Sequence, residues 1–481
     1  MLFSSEAKEV FEVEPITSAK LEAVLAKCAN IYNGNPPWVN ADEHIITVNF
    51  AKSVCSETAR LATLGIKITV GGKDGAKENE RSKWLQEQID NVYYRLRDWV
   101  EFGCGYGAIV LKPNGEDVDV VTPDRFMVTA QKNNEATGAV FIDKDISGNG
   151  KVFYTRLEYH RFLDNGNYAI TNKVYKSDAE GSLGKEIEIE ESPWKRLLAD
   201  VEIQSIDKPL FAVMKTPQAN NVDIQSPMGV PVYAEAVEEL KDLDIAYSRN
   251  ALEVKESRRI VLLDSDRMME VGMDMRNMAS GLEKSREHLK LPEYIKNVYG
   301  DGAQTFYQEI NPTLQTAVRV EGINALLSQI GYKCGFSNGY FVFNQHTGLT
   351  TATQIESEQQ RTIQFIKDVR DKLEHCIDGL LYALNAFADL YDLAPLGDYE
   401  ATYDFGDITY NREEDKARWY GYVAAGKIPF WYYLNKFEGM TEEEAKELDE
   451  MTKKEQMEAA MQQQTLFGGF QQAEQMGEGE E

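Results

Sequence analysis

The longest regular pattern in the chain begins at Ala352, after which apolar or small residues recur at Thr362, Ile366, Val369, Leu373, Cys376, Leu380, Leu384, Phe387 and Tyr391. Spacings of three and four keep these positions on one helical face, and no proline interrupts the run before Pro395. At 1.5 Å per residue the predicted helix is roughly 60 Å long, so it needs a partner surface along most of its length. Thr350, Thr351 and Thr353 offer N-cap hydroxyls, and Thr353 with Glu356 fits a capping box. Gly379, in mid-helix, costs about 1 kcal/mol relative to alanine and marks either a kink or a close helix contact. Stripes of the same period predict helices from Ile16 to Ile31, Phe50 to Leu64, Trp84 to Phe102, Val232 to Ser257 and Ala317 to Lys333. On the fourth of these, Val237, Leu240, Tyr247, Ala251 and Val254 form a seam, with Glu235, Glu238, Glu239 and Asp242 on other faces.

Between Ala108 and Ile203 the period changes to two. The segments AIVLKP, VDVVTP, FMVTA, GAVFID, VFYTRLEYHRF, YAITNKVYK and EIEIE are separated by Gly, Asn and Asp turns, which predicts a mostly antiparallel β region. Its alternation puts Tyr154, Arg156, Glu158 and His160 on one face, expected to be solvated. His160 beside Glu158 is a candidate acid–base pair only if a nucleophile converges on it. Further strands are expected at IKITV, with a hairpin turn at GGKDG, at RRIVLLD, and at YEATYDFGD. Beyond the last of these, two or three short helices and an acidic, Gln- and Gly-rich tail from Met461 are predicted, the tail disordered. Helices and strands in separate runs give an α+β chain.

The remaining chemistry is mostly exclusionary. No GxxxxGK[ST] phosphate loop is present, and Gly103, Gly105 and Gly107 follow a helix and precede a strand, the reverse of the dinucleotide-binding order. Asp264 and Asp266 read as turn residues rather than a metal pair, and the cluster of Met268, Met269, Met273, Met275 and Met278 as a contact surface. Cys28, Cys55, Cys104, Cys334 and Cys376 are widely spaced and odd in number, so neither disulfides nor a zinc site is expected, only buried small side chains. No metal or other cofactor is expected. At 481 residues, 43% of them hydrophobic, the chain is long enough for two or more domains, and no apolar run approaches a membrane span. Its start lacks the basic and apolar regions of a secretory signal, so none is expected. With 51 basic and 79 acidic residues the net charge is −28, which disfavours tight wrapping of nucleic acid and leaves two readings, a solubilising acidic surface, the default, or a wall past which a polyanion slides.

Several stretches together resemble one family. The loop-to-helix junction GFSNGYFVFNQHTGLTTATQIESE, with its G-x-S and aromatic strand, is the most specific; NFAKSVCSETARL, WVEFGCGYGAIVLKPNG and SPMGVPVYAEAVEELKDLDIAYSRN support it. They resemble portal proteins of tailed bacteriophages, in the branch of long-tailed phages of Gram-positive hosts. The resemblance implies a portal fold with a β-rich and helical wing (1–230), two stem helices (231–257 and 317–333) and a small α/β clip (258–316). It further implies a tunnel loop (334–351), a long kinked wing helix with a strand (352–410), a helical crown (411–460) and the tail (461–481). It implies a homo-oligomeric ring, typically of twelve subunits, at one capsid vertex of the virion, assembled in the host cytoplasm. Double-stranded DNA would pass through the ring during packaging and ejection, driven by a separate terminase. The other implied partners are a head–tail adaptor and the major capsid and scaffold proteins, with no membrane. Asn344, Gln345, His346 and Thr347 would form the uncharged DNA-facing tip of the loop, and Lys333 and Arg361 would add basic charge beside it. Two other readings remain at this stage: a hydrolase or transferase using His160 and Glu158, and a scaffold that conducts no DNA.

Overall fold

The computed structural model describes residues 4–40, 42–73, 78–115, 117–147, 150–256, 260–264, 295–298, 307–310, 315–342, 352–406, 412–438, 440–441 and 443–454. It is α+β and divides into two compact units, Met1–Gly406 and Asp407–Glu481.

The first unit opens with helices α1 (Ser4–Phe11), α2 (Ala19–Tyr32) and α3 (Phe50–Ala62). The Ser18 hydroxyl caps α2 by accepting from the Leu21 amide, and Leu21, Cys28 and Ile31 give the helix its buried side. Strand β1 (Lys67–Gly71) follows, but not as the first arm of a hairpin: it pairs antiparallel with Glu400–Asp404, more than three hundred residues away. The expected single helix from Trp84 to Phe102 is two, α4 (Glu80–Val92) and α5 (Leu96–Tyr106), joined by a 3₁₀ turn at Tyr93–Arg95. The buried positions Leu85, Ile89, Val92, Leu96 and Trp99 keep their four-three spacing through the break, which is why periodicity does not reveal it. Asn79 and Ser82 close a capping box that fixes the start of α4.

Two antiparallel sheets come next. Strands β2 (Ala108–Pro113) and β3 (Val118–Val121) form one with β10 (Ala212–Lys215), in the order β10-β2-β3. The other contains β4 (Phe126–Lys132), β5 (Glu135–Ser147), β6 (Val152–Phe162), β7 (Tyr168–Ser177) and β8 (Lys185–Ile187) in sequence order, with β9 (Asp200–Ile203) also on β7. β2 is buried from end to end, as a strand sandwiched between layers must be.

Helix α6 (Val237–Glu256) begins later than its pattern suggests. Val232 to Ala236 are held otherwise, the Val232 amide on Cys104 O at 3.1 Å and the Tyr233 hydroxyl on Cys28 O and Gly105 O, both at 2.9 Å. Strand β11 (Ile260–Asp264) pairs parallel with β12 (Ile295–Val298) and antiparallel with β13 (Tyr307–Ile310). The methionine cluster, Asp266, Thr350, Thr351 and the tail from Met461 lie outside the described residues. Helix α7 (Thr316–Lys333) packs along α6.

Helix α8 (Ala352–Leu390) is unbroken over 39 residues and packs on α3, β2 and β10. Thr362, Ile366, Val369, Leu373, Cys376, Leu380 and Leu384 are buried as the stripe requires, whereas Tyr391, just past the helix, is exposed. At Gly379 a side chain would meet Ala212 Cβ at 3.1 Å, so the close approach is to a strand and not to another helix. The buried Arg370 guanidinium donates to Leu61 O at 3.0 Å and Ala62 O at 3.1 Å, capping the carbonyl end of α3. Arg81, also buried, reaches Asp389 at 2.7 Å and Ala394 O at 2.7 Å, tying the start of α4 to the end of α8. Strand β14 (Glu400–Asp404) closes the unit.

The second unit holds α9 (Arg412–Ala424), α10 (Phe430–Tyr433) running into a π-helical turn at Leu434–Glu438, and a helix over 443–454.

Candidate functional site

Asn344, Gln345, His346 and Thr347 lie outside the described residues, but the footing on both sides of their loop is described. The Cys334 amide ends α7 on Ile330 O, and Gly335 follows at φ +97°, directly under the Phe365 ring of α8. A side chain there would come within 2.6 Å of that ring. Only glycine meets both demands. Ser337 and Thr362 then bind reciprocally: the Ser337 amide donates to Thr362 Oγ1 at 2.8 Å, and the Thr362 amide to Ser337 Oγ at 3.3 Å. The G-x-S of the sequence is therefore a docking step between the end of α7 and the flank of α8. The aromatic run that follows is a turn over 338–341 rather than a strand. Its Phe341 and Tyr340 rings pack on the fully buried Phe336, with centroids 4.8 and 5.0 Å away, and Phe336 packs on Phe365 at 5.7 Å. Phe341 also meets Phe50 of α3, and the Tyr340 hydroxyl donates to Glu57. Hydrogen bonds from Arg60, the largest influence, and from Tyr340 hold the Glu57 carboxyl below its usual value against the effect of burial.

The two basic residues beside the loop are both engaged within the chain. Lys333 Nζ binds Glu239 Oε1 at 2.5 Å and Glu235 O at 3.0 Å, bridging α7 to α6. Arg361 lies over the Tyr332 ring at 3.9 Å and donates to Tyr332 O at 2.9 Å. The seam on α6 divides along its length. Val237 and Leu240 are buried, while Tyr247 (43%), Ala251 and Val254 (52%) are exposed, one helical turn apart on one side.

The face carrying Arg156, Glu158 and His160 is buried, a correction to the solvated face expected. Lys112 of β2 crosses from the neighbouring sheet to Glu158 and stands 3.8 Å from Asp143. Arg156 bridges Asp143 at 2.5 Å and Glu158 at 3.1 Å, and Arg125 reaches Asp143 at 3.2 Å. His160 Nε2 is 2.9 Å from Glu158 Oε1, and its Nδ1 is 2.9 Å from the Tyr168 hydroxyl, which accepts from the Leu210 amide at 3.1 Å. Burial raises the cost of charging Glu158, but Lys112, Arg156 and His160 outweigh it and hold the carboxyl well below its usual range. Burial likewise lowers His160, more than Glu158 restores. The acid–base candidates are thus occupied with each other, as an electrostatic tie between two sheets. Lys112 was missed because its partner lies 46 residues away on a different sheet.

All five cysteines are free and buried, and burial pushes the Cys28 thiol up to about 11 and Cys104 to about 12. No helix among the described residues is long and apolar enough to cross a membrane, and none of their His, Cys, Asp and Glu side chains group to hold a metal.

Comparison with known proteins puts the chain among structural proteins of bacteriophage particles rather than in an enzyme family. The family described as phage portal protein, SPP1 Gp6-like, matches residues 27–460, and the chain belongs to it. No curated protein matches the chain.

Proposed function

We propose that copies of this chain form a closed ring, of about twelve subunits as the family resemblance implies, at one capsid vertex of a tailed phage. Double-stranded DNA passes through its channel inward during packaging and outward at ejection. The observation that carries this reading is the family match over residues 27–460. In this reading α6 and α7 are the stem and 258–316 the clip, docking first the terminase and then the head–tail adaptor. Residues 1–230 with α8 and β14 are the wing and 411–460 the crown, and the major capsid and scaffold proteins are further partners. The exposed row of Tyr247, Ala251 and Val254 supports it, since a helix that leaves apolar residues uncovered in one copy can bury them on the next. So does the docked base of the loop, where Ser337 is bound to Thr362; in this reading Asn344 to Thr347 make brief, uncharged contacts to phosphates.

Light scattering and negative-stain imaging of the purified protein are expected to give rings with a central hole. A stable dimer or tetramer without a channel overturns the reading. Deletion of Asn344–Thr347 is expected to leave rings intact and capsids unfilled; normal filling removes the loop's assigned role while leaving the ring.

A further inference from the structure

Helices α6 and α7 run antiparallel, tied near one end by Lys333 to Glu239 and near the other by Arg319 to Glu253. The two ties are equally far apart on both helices, so they fix which residues stand level: Tyr247 with Ala325, and Val254 with Val318. They also mark the side on which each helix faces the other. At about 3.6 residues per turn, Tyr247, Ala251 and Val254 lie roughly a quarter turn past that side of α6, and Val318, Gly322 and Ala325 roughly a quarter turn before it on α7. In antiparallel helices, a step forward around one and a step back around the other lead to opposite sides of the pair. The bulky row and the small-residue face therefore point away from each other, and neither can bury the other within one copy. Both are uncovered: Tyr247 is 43% exposed, Val254 52% and Val318 68%, and Ala251, Gly322 and Ala325 are exposed too. A side chain at Gly322 would meet nothing within 4 Å, although glycine weakens a helix interior relative to alanine. Nothing among the described residues needs glycine there; a close neighbour would.

We propose that the α6 row of one copy seats on the α7 face of the next, with Tyr247 over Ala325 and Gly322, and Val254 against Val318. This seating presupposes the ring and names the surface that the row meets. Rotation about a ring axis along these helices shifts nothing along that axis, so residues level within one copy are level between copies. Charge favours the same pairing. Outside the two ties, the exposed charges among the described side chains are Arg249 and Lys255 on α6 beyond Tyr247, and Glu321 on α7. Packing α6 on a second α6 would bring like charges together, whereas packing it on a second α7 brings opposite ones. Because the two surfaces differ and face opposite ways, each copy offers one of each. The contact then repeats head to tail until it closes, where a self-complementary patch would stop at a dimer.

The test co-expresses two full-length variants, Tyr247→Cys and Ala325→Cys, and treats the purified protein with a short bismaleimide before denaturing separation. Crosslinked dimers are expected from the combined variants at least about tenfold more abundantly than from either alone, since a head-to-tail contact joins unlike surfaces. The parent, whose five cysteines are buried, is expected to stay uncrosslinked. Val254→Cys with Val318→Cys repeats the test should the first pair fail to fold. Gly322→Leu, placed where the single chain leaves open space, is expected to fold as the parent does and to lower the ring fraction at least about tenfold. Rings without crosslinking of the combined variants, crosslinking of Tyr247→Cys with itself, or undiminished rings in Gly322→Leu overturn the proposal and leave the ring reading in place. Absence of rings from the parent overturns that reading and the proposal with it.

Discussion

Replacing Lys112 by methionine tests whether the charge cluster between the two sheets holds them together. The lysine and glutamate side chains are 3% and 11% exposed, so removing one leaves the other buried with a missing partner. Breaking a buried pair in this way costs about 3–5 kcal/mol. Glu158 keeps Arg156 at 3.1 Å and His160 at 2.9 Å after the change, which puts the expected loss near the lower end, about 3 kcal/mol. Glu158→Gln alone leaves Lys112 facing Asp143 only at 3.8 Å and is expected to cost about as much. The double variant Lys112→Met/Glu158→Gln leaves Arg156 with Asp143 at 2.5 Å and no orphaned ion from the pair, so its loss should fall short of the sum by about 1–3 kcal/mol. Because the chain has more than one unit, local opening is the proper readout. Amide hydrogen exchange of β5 and β6 measures it directly, and Trp194, 5.5 Å from Arg156, reports the same region in urea. Losses that add within about 0.5 kcal/mol, or a Lys112→Met loss below about 1 kcal/mol, would refute the coupling.

The same cluster predicts acid sensitivity. His160 is held below its ordinary value by burial, so the unfolded chain binds a proton that the folded one refuses; its contribution is full above about pH 6.5 and lost as pH falls. Glu158 is depressed as well, and its contribution, full above about pH 4.3, is lost as pH falls through the folded value. The two effects share a sign, so the urea midpoint should drop in two stages below neutrality, with His160→Gln flattening the first; a midpoint unchanged between about pH 7 and 5 contradicts the assignment. Separately, Gly335→Ala combines a left-handed backbone costing about 1–2 kcal/mol with contact on the Phe365 ring, and should undock the loop base, seen as raised exchange at Ser337 and Thr362. Protection equal to the parent there would show that the ring shifts freely.

Much of the helical framework is legible in the chain. The stripe from Thr362 to Leu384 requires one long buried face, and the structure supplies its partners in α3, β2 and β10. Alternation placed Arg156, Glu158 and His160 together but is silent on which side of a sheet is covered, because the covering strand is supplied by residues elsewhere in sequence. For the same reason the hairpin expected after β1 gave way to β14: local turn chemistry cannot announce a distant partner. The 3₁₀ turn at Tyr93–Arg95 preserves the apolar spacing and leaves no mark in it. At the loop base, Gly335 and Ser337 were visible only as a family signature, whose meaning comes from Phe365 and Thr362 on the other side of the loop. The loop tip and the methionine cluster lie outside the described residues.

Four of the contacts along α8 bear on how force travels through the molecule. Thr362 is locked to Ser337, Arg370 to the end of α3, Gly379 against Ala212, and Asp389 to Arg81. Sliding the helix by one residue, about 1.5 Å along its axis, would break all four registers at once. The helix is therefore a strut and not a piston: from Thr362 onward it moves only together with α3 and β10. Displacing α8 along its axis is resisted together by its contacts to Ser337, α3, β10 and Arg81.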